Sequence, residues 1–339
     1  MKNKIERVFI AGGTGFIGYY SALEFISKGI AVDTIALPNE INLSGWYPLD
    51  KIGLSTGNLF EMTNTQIEAM FSQHKYDALI YAMGPDDRVI PKAPAYDFFY
   101  DKLVTQCKRI CNCARNVGIH RCVITGSYFS HFDNLSNGAL SLAHPYIKAR
   151  IAQENELSFL GNDSKFEIMF LELPYVFGVM PNRKPLWREH FIARFDKLNN
   201  IYFPCGGGTA VLDISGVAEA VVATTYNGEN NAKYLIGNVN MTFKNLIETM
   251  LKDISTTRKY VGLPPFICAL GATAITRAER AKGLQSGLDY PKLMTQILSK
   301  KFYIDTAPVG IALCYDEFGY TGGKDVMQSI SETMRKCYE

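Results

Sequence analysis

The sequence predicts a doubly wound α/β fold, a parallel sheet with helices on both faces, and a smaller, mainly C-terminal substrate lobe. Short apolar runs alternate with helical patterns through the first half of the chain, as in βαβ units. The first apolar run ends in a glycine cluster that leads directly into an amphipathic segment. At 339 residues the chain is too long for one simple compact unit, so a second lobe is expected.

The glycine cluster reads Gly12-Gly13-Thr14-Gly15-Phe16-Ile17-Gly18. A side chain at Gly12 or Gly15 would block a phosphate, and Gly18 lets the helix pack closely on the strand. The free N–H groups at the helix start face an anion, with the positive end of the helix dipole behind them. Glycines at this spacing between a strand and a helix predict a Rossmann-like dinucleotide site. The alternative is a glycine-rich turn that binds nothing.

Composition and charge exclude several classes of function. The net charge is +2 and no basic tract occurs, so no nucleic-acid partner is expected. The N-terminus runs straight into a predicted strand, without a signal peptide. No stretch reaches the ~18 uncharged apolar residues of a membrane span. We therefore expect a cytoplasmic protein without a membrane partner.

Eight cysteines occur, three of them close together at Cys107, Cys111 and Cys113. They lie in a helical pattern that turns the third away from the other two. No CxxC pair and no histidine at ligand spacing accompanies them, so no metal site is expected. Small, reduced, apolar thiols in a packed helix are the simpler interpretation.

The end of the second predicted strand leaves the choice between NAD and NADP open. An acid there binds the ribose hydroxyls in NAD-specific domains, and a nearby arginine marks NADP. This chain has Ala36 and Leu37 at those positions. Asp33 falls too early and is expected within the strand, whereas Asn39 and Glu40 are candidates to substitute from the loop.

A tyrosine and a cation one helical turn apart indicate acid–base chemistry. A phenol with an ordinary pKa of ~10 must lose or share its proton to act on a carbinol, and a cation at i+4 stabilises the phenolate. Tyr146 and Arg150 have this spacing, and Ser127, ending a predicted strand, would polarise a substrate carbonyl. The alternatives are a core aromatic and a hydroxyl bonded to backbone. His131 and His144 flank the pair and rank below Tyr146.

The glycine motif and the residues around Tyr146 resemble the extended short-chain dehydrogenase/reductases, the NAD-dependent epimerase/dehydratase family. The resemblance covers nearly the whole chain, and it implies NAD or NADP as cofactor and a small-molecule substrate. The cation in that family is a lysine, so Tyr-x-x-x-Arg departs from it. Two further departures are Leu103, in place of an asparagine that anchors a relay water, and Glu172, in place of an arginine.

The resemblance also implies a set of cofactor contacts: Gly12, Thr14, Gly15, Phe16, Ile17, Gly18, Asn58, Leu59, Ala82, Met83, Gly84, Tyr146, Arg150, Pro174, Tyr175 and Val176. Asn58 replaces an acid that bonds the adenine amino group, and its amide oxygen can accept the same bond. A polar turn is the alternative there. Ala82 to Gly84 would pass under the cofactor, and Pro174 to Val176 would face the nicotinamide carboxamide.

The predicted domains are 1–178 plus 211–240 for the dinucleotide, 179–210 plus 241–318 for the substrate, and 319–339 as a closing C-terminal helix. Arg183, Lys184, Arg188 and Arg194 are candidates for a diphosphate clamp, or else form a solvated basic face. By resemblance, a homodimer would pack through the helix around 96–117 and the helix that carries Tyr146.

The main functional hypothesis is an NAD(P)-dependent oxidoreductase acting on a carbonyl or alcohol of a small or medium metabolite. Tyr146 would be the acid/base, Arg150 the cation that lowers its pKa, and Ser127 the donor to the substrate oxygen. One alternative is a sugar-nucleotide epimerase/dehydratase that works through a transient keto intermediate. The other is a non-catalytic NAD(P)-binding sensor, which the departures at Leu103 and Arg150 favour.

Overall fold

The computed structural model describes residues 3–38, 43–162, 165–195, 197–254 and 256–339. Asn39 and Glu40, the candidates for ribose binding, lie outside the described residues. The side chain of Arg194 is outside them as well.

The strands, in chain order, are β1 (Arg7–Ala11), β2 (Ala31–Ala36), β3 (Ile52–Thr56), β4 (Ala78–Tyr81), β5 (Arg121–Ser127), β6 (Glu167–Leu173), β7 (Tyr175–Phe177), β8 (Ile201–Pro204), β9 (Gly208–Asp213), β10 (Lys233–Leu235), β11 (Val239–Thr242), β12 (Tyr260–Leu263) and β13 (Lys301–Phe302). Seven of them form one parallel sheet in the order β10-β6-β5-β4-β1-β2-β3. The order reverses between β1 and β4, and ligands of such sheets bind above the carboxyl ends at that point.

The helices are α1 (Phe16–Ser27), α2 (Asn64–Phe71), α3 (Ala95–Tyr100), α4 (Gln106–Asn116), α5 (Phe129–Leu135), α6 (Pro145–Ser158), α7 (Trp187–His190), α8 (Ile214–Asn227), α9 (Phe243–Lys252), α10 (Pro265–Ala281), α11 (Tyr290–Lys292), α12 (Ala307–Ala312) and α13 (Val326–Tyr338). A π-helical turn at 101–105 joins α3 to α4, so the helix expected around 96–117 has no break between these two segments. Helix α13 is the predicted closing helix.

Both faces of the main sheet are buried, which explains why its strands are near-continuous apolar runs. Val8 and Ile10 of β1 pack with α1 and α8 on one face. Phe9 and Ala11 point to the other face, where α2 and α4 cover them. The predicted doubly wound fold is confirmed.

The smaller lobe is built on a second sheet of order β11-β9-β13, with β7 also paired to β9. The sequence prediction assigns 211–240 to the dinucleotide domain, and parts of this segment contact the main sheet and its helices. Helix α8 packs on α1, and β10 adds to β6. Strand β9 differs, because its pairing partners come from β7, β11 and β13.

Two sequence-based expectations concern what the fold contains. Within the described ranges, no helix is both long and apolar enough to cross a bilayer. The same residues hold no cluster of potential metal ligands. All eight cysteines are free, and Cys107, Cys111 and Cys113 are buried as expected.

Candidate cofactor and catalytic site

The glycine turn after β1 leaves no room for side chains at three of its positions, among them Gly13, where a Cβ would lie 2.4 Å from Thr34 Oγ1. Gly12 has a φ of +93°, and a Cβ there would lie 2.5 Å from the Ala82 carbonyl oxygen. A Cβ on Gly18 would lie 2.2 Å from the Gly12 oxygen. At Gly15, by contrast, the Gly12 oxygen at 3.2 Å is the one described atom within 4 Å. Glycine at positions 12 and 18 therefore allows the backbone to pack closely within the turn, while the space next to Gly15 is mostly open.

Hydrogen bonds fix the shape of this turn. The Gly13 N–H donates to Thr34 Oγ1 at 3.0 Å, and that hydroxyl donates to the Ile10 carbonyl at 2.6 Å. The Tyr47 hydroxyl donates to the Gly13 carbonyl at 3.0 Å. The turn is thus held from β2 and from the loop that follows it.

The N-terminus of α1 suits an anion. Its N-cap, Gly15, has no side chain to satisfy the first N–H groups, and the first turn holds no acid. These N–H groups and the positive helix end together favour phosphate. The open space at Gly15 and the uncapped helix therefore fit the pyrophosphate of a dinucleotide.

The residues predicted to hold the adenosine end take local partners. Asn58 Oδ1 accepts the Phe60 N–H at 3.1 Å, which is the polar-turn alternative, although an amide oxygen can accept a second bond. The Leu59 side chain is buried in the core, so its backbone is the part left to contact a cofactor. Asp33 lies within β2 as expected and pairs with Arg7 at 2.5 Å.

Tyr146 and Arg150 are joined directly on the inner face of α6. Arg150 Nε donates to the Tyr146 hydroxyl at 2.9 Å, and the two side chains are 8% and 4% exposed. Arg150 NH1 also donates to the Gln153 amide oxygen at 2.8 Å and to the Thr125 carbonyl at 3.2 Å. The arginine fork therefore ties α6 to β5 two residues before Ser127, above the carboxyl edge of the sheet.

Burial raises the pKa of Tyr146, and it outweighs Arg150, which lowers the pKa. Asp87 adds a smaller upward effect. The sequence predicted a cation that lowers this pKa, and Arg150 acts in that direction, but the net shift is upward. The phenol therefore holds its proton at neutral pH and is a donor in the resting site.

The other predicted site residues lie at the same sheet edge. Ser127 Oγ accepts the Phe129 N–H at 3.3 Å, which leaves the hydroxyl proton available for a substrate. The predicted cofactor contacts that are half-buried, as in a cleft wall, are Gly12, Thr14, Gly15, Phe16, Ile17, Asn58, Ala82, Met83, Tyr175 and Val176. Pro174 is buried between β6 and β7. Gly84 is exposed, has a φ of +117° and packs on Leu103.

Asp87 is a candidate that sequence reasoning missed. Asp86, Asp87 and Arg88 are consecutive, and a solvated ion pair of Asp87 with Arg88 is the ordinary expectation, but Arg88 Nε binds Asp86 Oδ2 at 3.0 Å. Burial raises the pKa of Asp87 to about 6, and Asp87 interacts electrostatically with Arg150 and Tyr146 as well as with Arg88. The available signal was the excess of acids: two carboxylates precede one arginine.

Both flanking histidines are held neutral at pH 7. Burial lowers the pKa of His144 to about 4, and its Nδ1 accepts the Asp289 N–H at 3.0 Å. Burial also lowers the pKa of His131. His144 therefore ties the start of α6 to the segment around Asp289.

Two buried acidic residues lie near each other, one of them on α6 one helical turn after Arg150. Glu154 on α6 and Glu172 on β6 are 2% and 3% exposed, and Lys233 pairs with Glu154 at 2.6 Å. Burial, followed by the charge of Glu154, raises the pKa of Glu172 to about 8. The acid that replaces the family's arginine is therefore protonated at neutral pH.

We predict that Glu172→Gln flattens the dependence of stability on pH. Between pH 4.5 and about 8 the folded chain keeps a proton on Glu172 that the unfolded chain releases. The wild-type free energy of unfolding then falls with rising pH by about 1.4 kcal/mol per unit from this group. Glutamine mimics the protonated acid and removes that loss. Urea unfolding of both proteins at a series of pH values measures how the free energy of unfolding depends on pH.

Glu61→Gln, at an exposed glutamate, is the matched control and should follow the wild-type curve. Parallel pH curves for wild type and Glu172→Gln would contradict the assignment of a native-state proton to Glu172.

Known proteins agree with this fold. The model of the NAD dependent epimerase/dehydratase family matches residues 8–237. No curated protein sequence matches the chain. Among solved structures, gox2253 is similar with a TM-score of 0.73 at 14% identity, over 98% of this chain and 97% of that one.

Two further structures share the architecture. The UDP-glucose 4-epimerase of Bifidobacterium longum, in complex with NAD+ and UDP, has a TM-score of 0.69 at 13% identity, over 97% of each chain. The dTDP-glucose 4,6-dehydratase DesIV double mutant of Streptomyces venezuelae has 0.66 at 14%, over 98% of this chain and 97% of that one. Since the family model covers more than half of the sequence, the chain belongs to the NAD dependent epimerase/dehydratase family of enzymes.

Proposed function

We propose that this enzyme is an NAD(P)-dependent oxidoreductase that interconverts a carbonyl and an alcohol on a small or medium metabolite. The observation that supports this most strongly is the buried 2.9 Å bond from Arg150 Nε to the Tyr146 hydroxyl. Arg150 also donates to the carbonyl of Thr125 near the carboxyl end of β5, two residues before Ser127. A tyrosine whose hydroxyl is bonded to a fixed cation can give up a proton and remain stabilised as phenolate.

The glycine turn and the start of α1 would hold the pyrophosphate, and the residues after β4 and β6 would line the rest of the cofactor site. Five similar solved structures, among them the Bifidobacterium epimerase, contain NAD or NAD+, which supports the same cofactor class here. When bound, the nicotinamide supplies or accepts the hydride. The chain's own residues supply orientation and the proton.

In the reducing direction, Tyr146 donates its proton to the substrate oxygen as negative charge develops there. Arg150 stabilises the phenolate that remains, and the Ser127 hydroxyl donates a second hydrogen bond to the same oxygen. Arginine differs from the family's lysine because its planar fork binds several acceptors at once. Here Arg150 NH1 donates hydrogen bonds to Gln153 and Thr125, and Arg150 Nε donates one to the tyrosine hydroxyl.

The test is a panel of ketones, aldehydes and nucleotide sugars incubated with the enzyme and NADH or NADPH, followed by the near-ultraviolet absorbance of the reduced cofactor. Consumption of cofactor with one carbonyl class is the expected result. Cofactor binding without turnover across the panel would contradict it and favour the sensor hypothesis.

A sugar-nucleotide epimerase/dehydratase is the second candidate, because similar solved structures have these activities in their names. Such a substrate needs cations for its diphosphate. Of the predicted clamp, the Arg188 guanidinium lies 5.3 Å from the centre of the Tyr338 ring, and Lys184 interacts with Glu339. Both thus face the end of α13. A nucleotide sugar converted without net cofactor change would favour this candidate.

We also propose a homodimer in a reducing, cytoplasmic compartment. Helices α3 and α6 lie side by side within one chain and would together form the dimer face. Lys148 lies 4.4 Å from the centre of the Tyr96 ring, and the Tyr100 hydroxyl is bonded to Glu156. Eight free cysteines suit a reducing compartment. Sedimentation equilibrium at twice the chain mass would support the dimer, and the mass of one chain would contradict it.

A further inference from the structure

Helix α10 presents an apolar face that no described element covers. Its inner side packs on α11, the π-helical turn at 293–297 and β8, and Ala272 is buried there. The large exposed residues on the other side are Phe266 (63%), Ile267 (42%), Leu270 (71%) and Ile275 (45%). Gly271, Ala274 and Ala278 are exposed between and beyond them. At 3.6 residues per turn these positions form one broad stripe over about half of the circumference of a helix about 25 Å long. Exposed Arg277 lies within the same half, about two turns after Leu270.

The stripe continues onto the neighbouring strand pair. Strand β12 runs into α10 and pairs with β8, where Tyr202 lies opposite Val261. Tyr202 is itself 40% exposed. The apolar surface therefore extends beyond the helix at its N-terminal end.

The exposed charges near both ends of the helix are mostly positive. Arg277, Arg280 and Lys282 are exposed at its C-terminal end. Before its N-terminal end, a surface groove is lined by Lys244, Glu248, Leu251, Lys252, Arg258, Lys259, Tyr260 and Gly262. That lining holds four cations and one carboxylate, and Lys244 offsets Glu248 at 3.9 Å.

We propose that α10 is an interfacial helix that seats the substrate lobe on an anionic membrane surface. Its apolar face would enter the boundary between headgroups and acyl chains, and the flanking arginines and lysines would meet lipid phosphates. This arrangement requires no spanning helix, and none occurs among the described residues. It departs from the expectation of no membrane partner, which rested on the absence of a span.

A second copy of the chain fits this face less well than a lipid surface. A stable protein–protein interface takes about 20–30 residues from each partner, whereas the stripe offers fewer than ten. The charges around the stripe are mostly positive, so two copies would bring an excess of like charges together. A lipid interface needs only one amphipathic helix face with basic flanks.

Flotation of the full chain with vesicles tests the proposal. We expect binding to phosphatidylcholine vesicles that contain phosphatidylglycerol, and weak binding to phosphatidylcholine alone. Leu270→Ser should reduce partitioning about tenfold, through lost apolar burial. Arg277→Gln and Lys282→Gln should each reduce it about fivefold, and added salt should weaken it further.

Leu142→Ser is the matched control, since Leu142 is 88% exposed elsewhere on the chain, and it should bind vesicles as the wild type does. Unchanged NADH binding and unfolding temperature would show that each variant is folded. Equal partitioning of Leu270→Ser and wild type would overturn the proposal, as would no binding to anionic vesicles. A loss of oligomer mass in Leu270→Ser would overturn it in favour of a second copy.

Discussion

Tyr146→Phe is expected to lower kcat for carbonyl reduction by about 10²- to 10⁴-fold, the usual contribution of a positioned proton donor. The variant removes only the hydroxyl that Arg150 Nε contacts. The ring still packs edge-on against Phe99, 5.4 Å between centroids, so the fold and cofactor affinity should persist. Single-turnover oxidation of bound NADH or NADPH by the best panel substrate measures the effect.

Arg150→Lys is the companion variant, because it restores the family's Tyr-x-x-x-Lys pattern and keeps the charge. It loses the fork that also binds Thr125 and Gln153, so intermediate activity with a displaced pH profile is expected. Wild-type turnover in Tyr146→Phe would show instead that Tyr146 is a core aromatic without a chemical role.

Gly15→Val is expected to weaken NADH or NADPH binding by about 100-fold or more, while the chain remains folded. Gly15 has φ −84° and ψ 171°, a conformation that any residue adopts, and a Cβ there would make one tight contact, 3.2 Å from the Gly12 oxygen. The valine side chain would occupy the space assigned to the pyrophosphate. Hydrogen bonds to a charged group contribute about 1.5–3 kcal/mol each, and every 1.4 kcal/mol is tenfold in affinity.

Cofactor fluorescence on titration measures this change, with thermal unfolding as the check on folding. Gly18→Ala provides the contrast, since its Cβ would meet the Gly12 oxygen at 2.2 Å and should destabilise the turn itself. Wild-type affinity in Gly15→Val would exclude the glycine turn as the phosphate site.

The parts of the site that the sequence predicted are those set by local spacing. Glycines three apart place the turn between β1 and α1, and residues four apart on a helix bring Tyr146 to Arg150. The interior position of Asp33 followed from its distance to the strand end. In each case the partner atoms lie within one element or its immediate continuation.

The missed features depend on partners that are distant in sequence or on a choice between neighbours. Glu172 holds its proton because the fold buries it in β6 and places it near Glu154 of α6, and no local pattern indicates either condition. Arg88 binds the Asp86 carboxylate and not that of its nearer neighbour Asp87, and sequence alone does not indicate which of the two acids is bound. The net rise in the pKa of Tyr146 reflects burial from several elements at once, whereas the sequence displayed only the nearby cation.

Titration of the wild-type chain with NADH and NADPH tests the account most directly, because every assigned role assumes a dinucleotide on the glycine turn. The account predicts saturable binding of one form at a single site per chain, together with a preference that settles NAD against NADP. Failure of both forms to bind would contradict it, and the fold would then be a scaffold used without hydride chemistry.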